Sequence, residues 1–357
     1  MISVVVPTLG RPSLAALLDV LAGQLGELPE VELLLVDDRH DDAGDRRHDG
    51  GDRPDDSGEL AVPGALAAYT KVLTGRGAGP AAARNLGWRA ARGSWVVFLD
   101  DDVRPAPDWC RRLRDDLAVA DAVGGVQGRV EVPLPTDRHP TDWERVTAGL
   151  ADGDWITADM AYRRAALAAV GGFDERFPRA YREDAELAHR VRRAGWRLVR
   201  GGRRVTHPVR PESRWVSLRT QRGNADDALL RRLYGPTWRA DLDLPPGRRP
   251  RHVAVTAAGT VALAAAAAWA GTRRSPAGRA LGVTAAVAAL GWAAGTAEFA
   301  RARITPGPRT RDEVVTMLLT SAAIPPLAVT HWVRGWWRSR AVPAGAVASA
   351  TGAKAAG

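Results

Sequence analysis

The sequence of 357 residues has one cysteine, Cys110, and only two lysines among its 50 basic residues. A single cysteine excludes a disulfide framework and a zinc site built from cysteines, and it fits a reducing compartment. The 37 glycines and 24 prolines follow no three-residue period, which excludes a collagen-like chain. Because 45% of the residues are hydrophobic, the chain can bury a sizeable core, and its length predicts two or three domains.

Charge is distributed unevenly along the chain. Residues 1–65 carry 14 acidic and 5 basic side chains, whereas the rest carries 27 acidic and 45 basic ones. Such an arginine excess fits a nucleic-acid binder, a protein held on an anionic membrane, or a solvated basic surface. A nucleic-acid binder would interleave basic residues with exposed aromatic ones, but aromatic residues make up only 6% of this chain. We therefore expect no nucleic-acid partner.

Residues 1–250 alternate between short β-branched runs and helical patterns, which predicts an α/β fold with a Rossmann-like, mostly parallel sheet. Ser13 is a candidate N-cap for the first helix, over residues 13 to about 25. The next predicted helix covers residues 81–92. The predicted strands are residues 3–6, 32–36, 71–73 and 95–99. Ligands of such sheets bind outside the carboxyl ends of the strands.

Three uncharged runs follow at residues 252–271, 281–297 and 314–333. The first two are long enough to span a bilayer, although a buried helical hairpin is the alternative for such alanine-rich segments. The third run contains Pro325-Pro326 and ends beside several tryptophans and arginines, which predicts an interfacial segment. Arginines flank all three runs, so the charge pattern does not determine their orientation.

Acidic residues follow two of the predicted strands. Asp100-Asp101-Asp102 comes directly after the apolar strand 95–99, where neighbouring carboxylates can bind a divalent cation that bridges a diphosphate. A chance acidic turn is the alternative. Asp37-Asp38 ends the second strand, where it can accept a hydrogen bond from a base or a ribose, or simply cap a turn.

Two further segments carry candidate functional side chains. Residues 79–87 open a helix with small residues, and Arg84 lies one turn inside it, where it can meet a phosphate or remain an ordinary surface arginine. Glu183 and Asp184 stand at the start of a later helix, whose dipole favours ionised carboxylates. An ionised carboxylate there suits a general base, and a capping pair is the alternative.

Six motifs occur in order along the chain. They are Val4-Val5-Val6-Pro7-Thr8, Val36-Asp37-Asp38, Ala83-Arg84-Asn85-Leu86-Gly87, Phe98-Leu99-Asp100-Asp101-Asp102, Gly171-Gly172-Phe173-Asp174 and Glu183-Asp184-Ala185-Glu186-Leu187. This series resembles that of family 2 glycosyltransferases, which are inverting enzymes of the GT-A fold, and the resemblance covers about residues 1–235.

The resemblance implies roles for individual residues. Asp184 matches the general base that deprotonates the acceptor hydroxyl, and Glu183 stands beside it as a second catalytic candidate. The implied nucleotide-sugar-binding residues are Pro7, Thr8, Asp38, Arg84, Asn85 and Asp101. The implied ligands of Mg²⁺ or Mn²⁺ are Asp100, Asp102 and His207, of which the histidine has a structural role as its alternative.

Two departures from the family pattern limit what the resemblance implies. Asp159 stands where relatives usually have asparagine, and we expect this extra carboxylate to alter how the donor sugar or the acceptor is held. The Gln-x-x-Arg-Trp signature of processive synthases is missing from the region around residues 219–226, which favours a single transfer per acceptor.

The implied function is transfer of a sugar from a nucleotide-sugar, most simply a UDP-sugar, to a lipid-linked or cell-envelope glycan acceptor at the cell membrane, with the catalytic domain facing the cytoplasm. A sugar-phosphate nucleotidyltransferase is the alternative enzyme, but residues 7–12 are too short for its glycine-rich basic loop. An inactive membrane scaffold of the same fold is the other alternative.

We expect the following division of the chain. A catalytic domain covers residues 1–235 and includes an acidic, mobile loop at 39–57. A basic linker at 236–251 leads to the apolar helical membrane region at 252–340, and a disordered tail follows at 341–357.

Overall fold

A computed structural model describes residues 1–39 and 58–347. The loop predicted at 39–57 lies outside the described residues apart from Arg39, and so does the part of the predicted tail after residue 347.

The described residues form an eight-stranded sheet with the strand order β3-β2-β1-β4-β7-β6-β8-β5. The strands are β1 Ile2–Thr8, β2 Val31–Asp37, β3 Thr70–Thr74, β4 Trp95–Leu99, β5 Arg104–Pro105, β6 Val123–Glu131, β7 Asp159–Arg163 and β8 Arg197–Thr206. The four strands predicted from the sequence are therefore present, each at its expected place.

The sheet is mixed, with four parallel and three antiparallel strand pairings among the described residues, so parallel pairing predominates as predicted. Strands β1 to β4 are parallel to one another, but β7 runs antiparallel to both β4 and β6, and β5 runs antiparallel to β8. The antiparallel register pairs Leu99 with Asp159. As a result, the first residue of β7 lies beside the carboxyl end of β4, where the acidic cluster begins.

Helices cover the sheet and continue into the apolar part of the chain. They are α1 Pro12–Ala22, α2 Pro80–Ala90, α3 Trp109–Leu117, α4 Asp142–Asp152, α5 Arg164–Val170, α6 Glu183–Arg193, α7 Val216–Arg219, α8 Asn224–Tyr234, α9 Trp238–Asp241, α10 Arg249–Thr272, α11 Pro276–Ile304 and α12 Arg311–Ser339. Short 3-10 turns lie at Leu25–Glu27, Gly64–Leu66 and Thr220–Gly223.

The prediction that Ser13 caps the first helix is wrong. Helix α1 begins at Pro12, and Arg11 occupies the N-cap position without a side-chain capping bond. Proline suits the first helical position because its missing N–H would have no partner there in any case. Ser13 therefore lies one residue inside the helix.

Alternating side chains of the strands enter two apolar clusters, one on each side of the sheet. In β1, Val4 and Val6 belong to one cluster and Val5 belongs to the other. A sheet that is covered on both faces explains why its strands are apolar runs with little polar alternation. Helix α2 packs so closely on β1 that a Cβ at Gly87 would lie 2.3 Å from Val5 Cγ1.

Helices α10, α11 and α12 are each long and apolar enough to cross a membrane. In α10 and α11 the large apolar side chains face outward, with Leu263 76% and Leu290 70% exposed. Such exposure is costly in water and suits a lipid environment. The three helices indicate that the protein associates with a membrane.

Helix α12 differs from the interfacial segment expected for residues 314–333. It continues without a break through Pro325 and Pro326. Prolines are tolerated within a helix where neighbouring elements stabilise it. One such contact is with α8, where a Cβ at Gly335 would lie 2.4 Å from the carbonyl oxygen of Ala225.

A buried arginine joins the sheet-containing part of the protein to the apolar helices. Arg303, near the end of α11, donates 2.7 Å hydrogen bonds to Asp142 Oδ2 on α4 and to Thr320 Oγ1 on α12. The backbone N–H of Asp142 also donates to Glu313 Oε1 on α12. Asp142 thus joins helix α4 to both α11 and α12.

Asp142→Ala should lower the thermal stability of the detergent-solubilised protein by several degrees. The change leaves the Arg303 guanidinium without its carboxylate, and breaking a buried pair in this way costs about 3 kcal/mol. Asp154→Ala is the matched control, because Asp154 pairs with Arg200 at a half-exposed position. Equal melting temperatures for the two variants would contradict this role of Arg303.

Candidate active site

The carboxyl ends of neighbouring parallel strands bring the predicted acidic residues to one edge of the sheet. In the β1–β2 register Thr8 lies opposite Asp37, and β1 is also paired with β4, which leads into Asp100. His207 follows the last residue of β8, and its backbone N–H donates to the carbonyl oxygen of Glu131. These side chains come from four separate stretches of the sequence.

Arg84 connects the acidic cluster after β4 to the start of α6. Its guanidinium is only 3% exposed and donates from Nη2 to Asp100 Oδ1 (2.7 Å) and from Nη1 to Glu183 Oε1 (2.9 Å). Burial lowers the pKa of Arg84, but the carboxylates of Asp100 and Glu183 more than compensate and raise it above its ordinary value. Arg84 is therefore a permanently charged link between two elements.

The approach of α2 depends on the glycine before it. Gly79 has a φ of +94°, and a Cβ at this position would lie 2.2 Å from the carbonyl oxygen of Pro178. Only glycine adopts such a conformation without strain and with so little space. Gly79 thus allows the start of α2, one turn before Arg84, to approach the loop before α6.

Glu183 and Asp184 begin α6 but have different surroundings. Glu183 is buried against Arg84, and burial together with the charge of Asp184 raises the pKa of Glu183 to about 7. Asp184 is only partly buried, and its Oδ1 accepts a 2.7 Å hydrogen bond from the backbone N–H of Ala185. Burial also raises the pKa of Asp184. Of the two carboxylates, Asp184 is the one that a bound molecule can reach.

Thr8 and Asp101 are joined to each other directly. Thr8 Oγ1 donates to Asp101 Oδ2 (2.8 Å) and accepts from the backbone N–H of Gly10 (3.0 Å). Arg11 Nη1 lies 3.2 Å from the other oxygen, Asp101 Oδ1. Burial raises the pKa of Asp101 in spite of this arginine. The two residues form a buried, hydrogen-bonded pair at the carboxyl end of β1.

Asp38 organises the loop that leads into α2. Its Oδ1 accepts from the backbone N–H of Gly77 (2.8 Å), and its Oδ2 accepts from that of Gly79 (3.0 Å). Its own backbone N–H donates to the carbonyl oxygen of Thr8. Pro7, in the same strand as Thr8, is partly exposed at this edge.

Asp100, Asp102 and His207 form a group that could hold a metal ion. One ligand atom from each lies within 4.8 Å of the other two. Asp102 Oδ1 is buried and has no hydrogen-bond partner among the described residues, which is unfavourable unless a ligand satisfies it. Two carboxylates and an imidazole suit Mn²⁺, and Mg²⁺ is bound mainly through the carboxylates. The residues therefore fit a divalent cation.

Asn85 has a different position from the one expected for a donor-binding residue. It is fully buried, and its Nδ2 donates to the carbonyl oxygen of Phe173 (2.9 Å) and to Glu175 Oε1 (2.8 Å). Its Oδ1 accepts from the backbone N–H of Phe173 and from Trp88 Nε1. Both polar atoms of its side chain thus contact the turn at residues 171–175, and its role in donor binding stays a prediction.

The expectation that Asp159 alters donor or acceptor binding does not agree with its burial. Asp159 is fully buried and accepts from Arg203 Nε (2.7 Å) and from Trp109 Nε1 (2.9 Å). Arg203 also lies 3.0 Å from Asp116 Oδ2. Because Arg203 supplies the compensating charge, this carboxylate belongs to an ion-pair network inside the fold. The matching arginine lies 44 residues away, so sequence inspection missed the pair.

Sequence analysis also missed Arg11 and Arg210, which complete the charge pattern of the acidic cluster. Each of its three carboxylates is paired with one arginine: Asp100 with Arg84, Asp101 with Arg11, and Asp102 with Arg210. One signal was available, since three adjacent carboxylates directly after a buried strand require nearby positive charge. Nothing in the local sequence shows which arginines supply it.

Comparison with known proteins finds a family match for the segment that includes Arg84 and the acidic cluster. Residues 60–170 match the model of glycosyl transferase family 2. This segment of the chain is therefore similar to family 2 glycosyltransferases. The pre-mycofactocin glycosyltransferases of two Mycobacterium tuberculosis strains, CDC 1551 / Oshkosh and ATCC 25618 / H37Rv, are 30% identical to the chain over 141 residues. This alignment covers 36% of the present chain and 28% of each relative.

A solved structure shows the same fold. The mannosyltransferase PcManGT from Pyrobaculum calidifontis, solved in complex with GDP-Man and Mn²⁺, superposes with a TM-score of 0.50. The superposition covers 93% of this chain and 86% of that one, at 17% sequence identity. The predicted GT-A fold is thereby confirmed.

Asp102→Asn should weaken Mn²⁺ binding by more than about tenfold, because loss of even an outer partner of a metal site has a cost of this size. Binding is measured by calorimetry on the detergent-solubilised protein without nucleotide. Asp108→Asn is the matched control, since Asp108 pairs with Arg111 and Arg112 on an exposed helix start. Unchanged Mn²⁺ affinity in Asp102→Asn would exclude this residue as a ligand.

Proposed function

We propose that this protein is an inverting glycosyltransferase. It moves a sugar from a nucleotide-sugar, most simply a UDP-sugar, to a hydroxyl group of a lipid-linked or cell-envelope glycan acceptor. The observation that carries the proposal is the Arg84 link, which places the candidate metal ligand Asp100 and the α6 carboxylates around one buried guanidinium. A transferase of this type needs both groups next to the same donor.

Asp100, Asp102 and His207 would hold the cofactor, Mg²⁺ or Mn²⁺. A divalent cation bound there neutralises charge on the departing nucleoside diphosphate. The bound Mn²⁺ and GDP-Man of the Pyrobaculum calidifontis mannosyltransferase support a nucleotide-sugar and a cation in a fold of this kind. Pro7, Thr8, Asp38 and Asp101 line the edge of β1 and β2, where the nucleoside would bind.

Asp184 acts as the general base. It accepts the proton of the acceptor hydroxyl while that oxygen forms a bond to the anomeric carbon of the donor sugar. The bond between the anomeric carbon and the diphosphate oxygen breaks on the opposite side, so the configuration is inverted. Burial raises the pKa of Asp184 and makes it a better proton acceptor than an ordinary aspartate.

Glu183 acts through Arg84. Its carboxylate is buried and bound to the guanidinium, so it has no direct access to an acceptor. We therefore assign Glu183 to positioning Arg84 between α6 and Asp100. This divides the pair predicted from the sequence into one base and one positioning residue.

The apolar helices and the arginines that precede them support a membrane-bound acceptor. Residues 182–251 contain 18 arginines and 8 acidic residues, and α10 begins within this stretch. Arginines close to a membrane are attracted to anionic lipids by about 1 kcal/mol each. Since the anionic leaflet faces the cytoplasm, we propose that the catalytic domain lies on that side.

The proposal is tested by nucleotide release from UDP-, GDP- and dTDP-sugars, using the full chain in membranes with Mn²⁺, Mg²⁺ or EDTA. We expect metal-dependent turnover of one donor, abolished by EDTA. Lipid extracts provide acceptors, and product anomers are assigned by NMR. Failure of every donor to bind or react with either metal would contradict the proposal and favour an inactive scaffold, whereas a retained anomer would contradict inversion alone.

Asp184→Asn should lower kcat by about 100-fold or more with little change in donor KM, because it removes only the proton acceptor. Glu183→Gln should lower kcat much less, since Asp184 remains and the amide can still bind Arg84. Both steady-state constants are measured with the donor that turns over. A larger loss of kcat in Glu183→Gln than in Asp184→Asn would reverse the two assignments.

A further inference from the structure

Arg210 lies in the irregular segment between β8 and α7. Its Nε donates a 2.6 Å hydrogen bond to Asp102 Oδ2, on the same carboxylate whose Oδ1 has no partner. The terminal Nη atoms of Arg210 have no hydrogen-bond partner among the described residues. Arg210 thus binds Asp102 through Nε alone, and its two Nη atoms remain available for a bidentate contact.

The three arginines of the acidic cluster differ in how firmly they are held. The Arg84 side chain is 3% exposed and bound to two carboxylates, and the Arg11 side chain is 22% exposed at the start of α1. The Arg210 side chain is 33% exposed, and the residues around it belong to no helix or strand. Among the three, the Arg210 side chain is the most exposed.

The backbone of Arg210 is nevertheless fixed. Its carbonyl oxygen accepts a 3.0 Å hydrogen bond from Trp143 Nε1 on α4. Helix α4 is in turn fastened to the apolar helices through Asp142. The side chain can therefore change partner while its Cα stays in place, and a long arginine side chain has the reach for such a change.

The positive charge of Arg210 makes its contact with Asp102 sensitive to a bound cation. Arg210 occupies an oxygen of Asp102, a residue of the candidate metal group, so its positive charge stands where a cation would also be attracted. A guanidinium and a divalent cation on the same carboxylate repel each other. A nucleoside diphosphate brings phosphate oxygens that a guanidinium binds in a bidentate manner.

We propose that Arg210 is a donor-binding residue that holds Asp102 while the cation site is empty and pairs with the diphosphate of the donor when that site is filled. This inference rests on the proposed function. It assigns to Arg210 a double role, as competitor of the cation in the absence of nucleotide and as partner of the nucleotide in its presence.

The test measures two affinities on the full chain in detergent by calorimetry: Mn²⁺ alone, and UDP, GDP or dTDP in saturating Mn²⁺. Arg210→Ala should tighten Mn²⁺ binding by about tenfold, because the competing cation is gone, and weaken nucleotide binding by about tenfold or more. Arg210→Lys keeps the charge without the bidentate geometry, so it should weaken nucleotide binding while leaving Mn²⁺ affinity close to wild type.

Arg104→Ala is the matched control, since Arg104 is an exposed arginine on β5 with no hydrogen bond to the acidic cluster among the described residues. Wild-type behaviour of Arg210→Ala in both titrations would overturn the inference. So would a parallel weakening of both affinities, which indicates a merely structural role. If the wild-type protein bound neither Mn²⁺ nor any nucleotide, the proposed function itself would fail and this inference with it.

Discussion

The arrangement of the candidate site depends on the buried guanidinium of Arg84. It bonds to Asp100 after β4 and to Glu183 at the start of α6, two elements that lie 83 residues apart in the chain. A fully buried arginine with two carboxylate partners is costly to separate, because each partner would be left as an uncompensated charge. The distance between the acidic cluster and Asp184 is therefore set by a rigid, permanently charged bridge.

Pairing of carboxylates with arginines also extends to the other residues of the acidic cluster. Asp101 and Asp102 also have one arginine each, so the cluster is neutralised residue by residue, and only Asp102 retains an unpaired buried oxygen. The carboxylate of Asp102 lies next to His207, whose Nε2 is 3.5 Å from Oδ2, in the group suited to a cation. Electrostatic compensation thus stabilises the folded chain and leaves one oxygen of the Asp100–Asp102 cluster where further positive charge is favourable.

The strand ends and their acidic residues could be predicted from the sequence, because apolar runs and their polar termini are local patterns. Long-range ion pairs could not be predicted, since the partners Asp159 and Arg203 carry no mutual signal in the sequence. The antiparallel pairing of β7 with β4 could not be predicted either, because it also joins segments that are distant in the sequence. Helix α12 passed through its two prolines because packing against neighbouring elements outweighs local propensity.

The most direct test of the central claim is the anomalous scattering of Mn²⁺ in crystals of the full chain grown with Mn²⁺ and UDP, GDP or dTDP. The account predicts one strong peak bounded by Asp100, Asp102 and His207, with the diphosphate of the nucleotide beside it. A bound nucleotide without a peak at these three residues, or with Mn²⁺ held only by other residues, would contradict it.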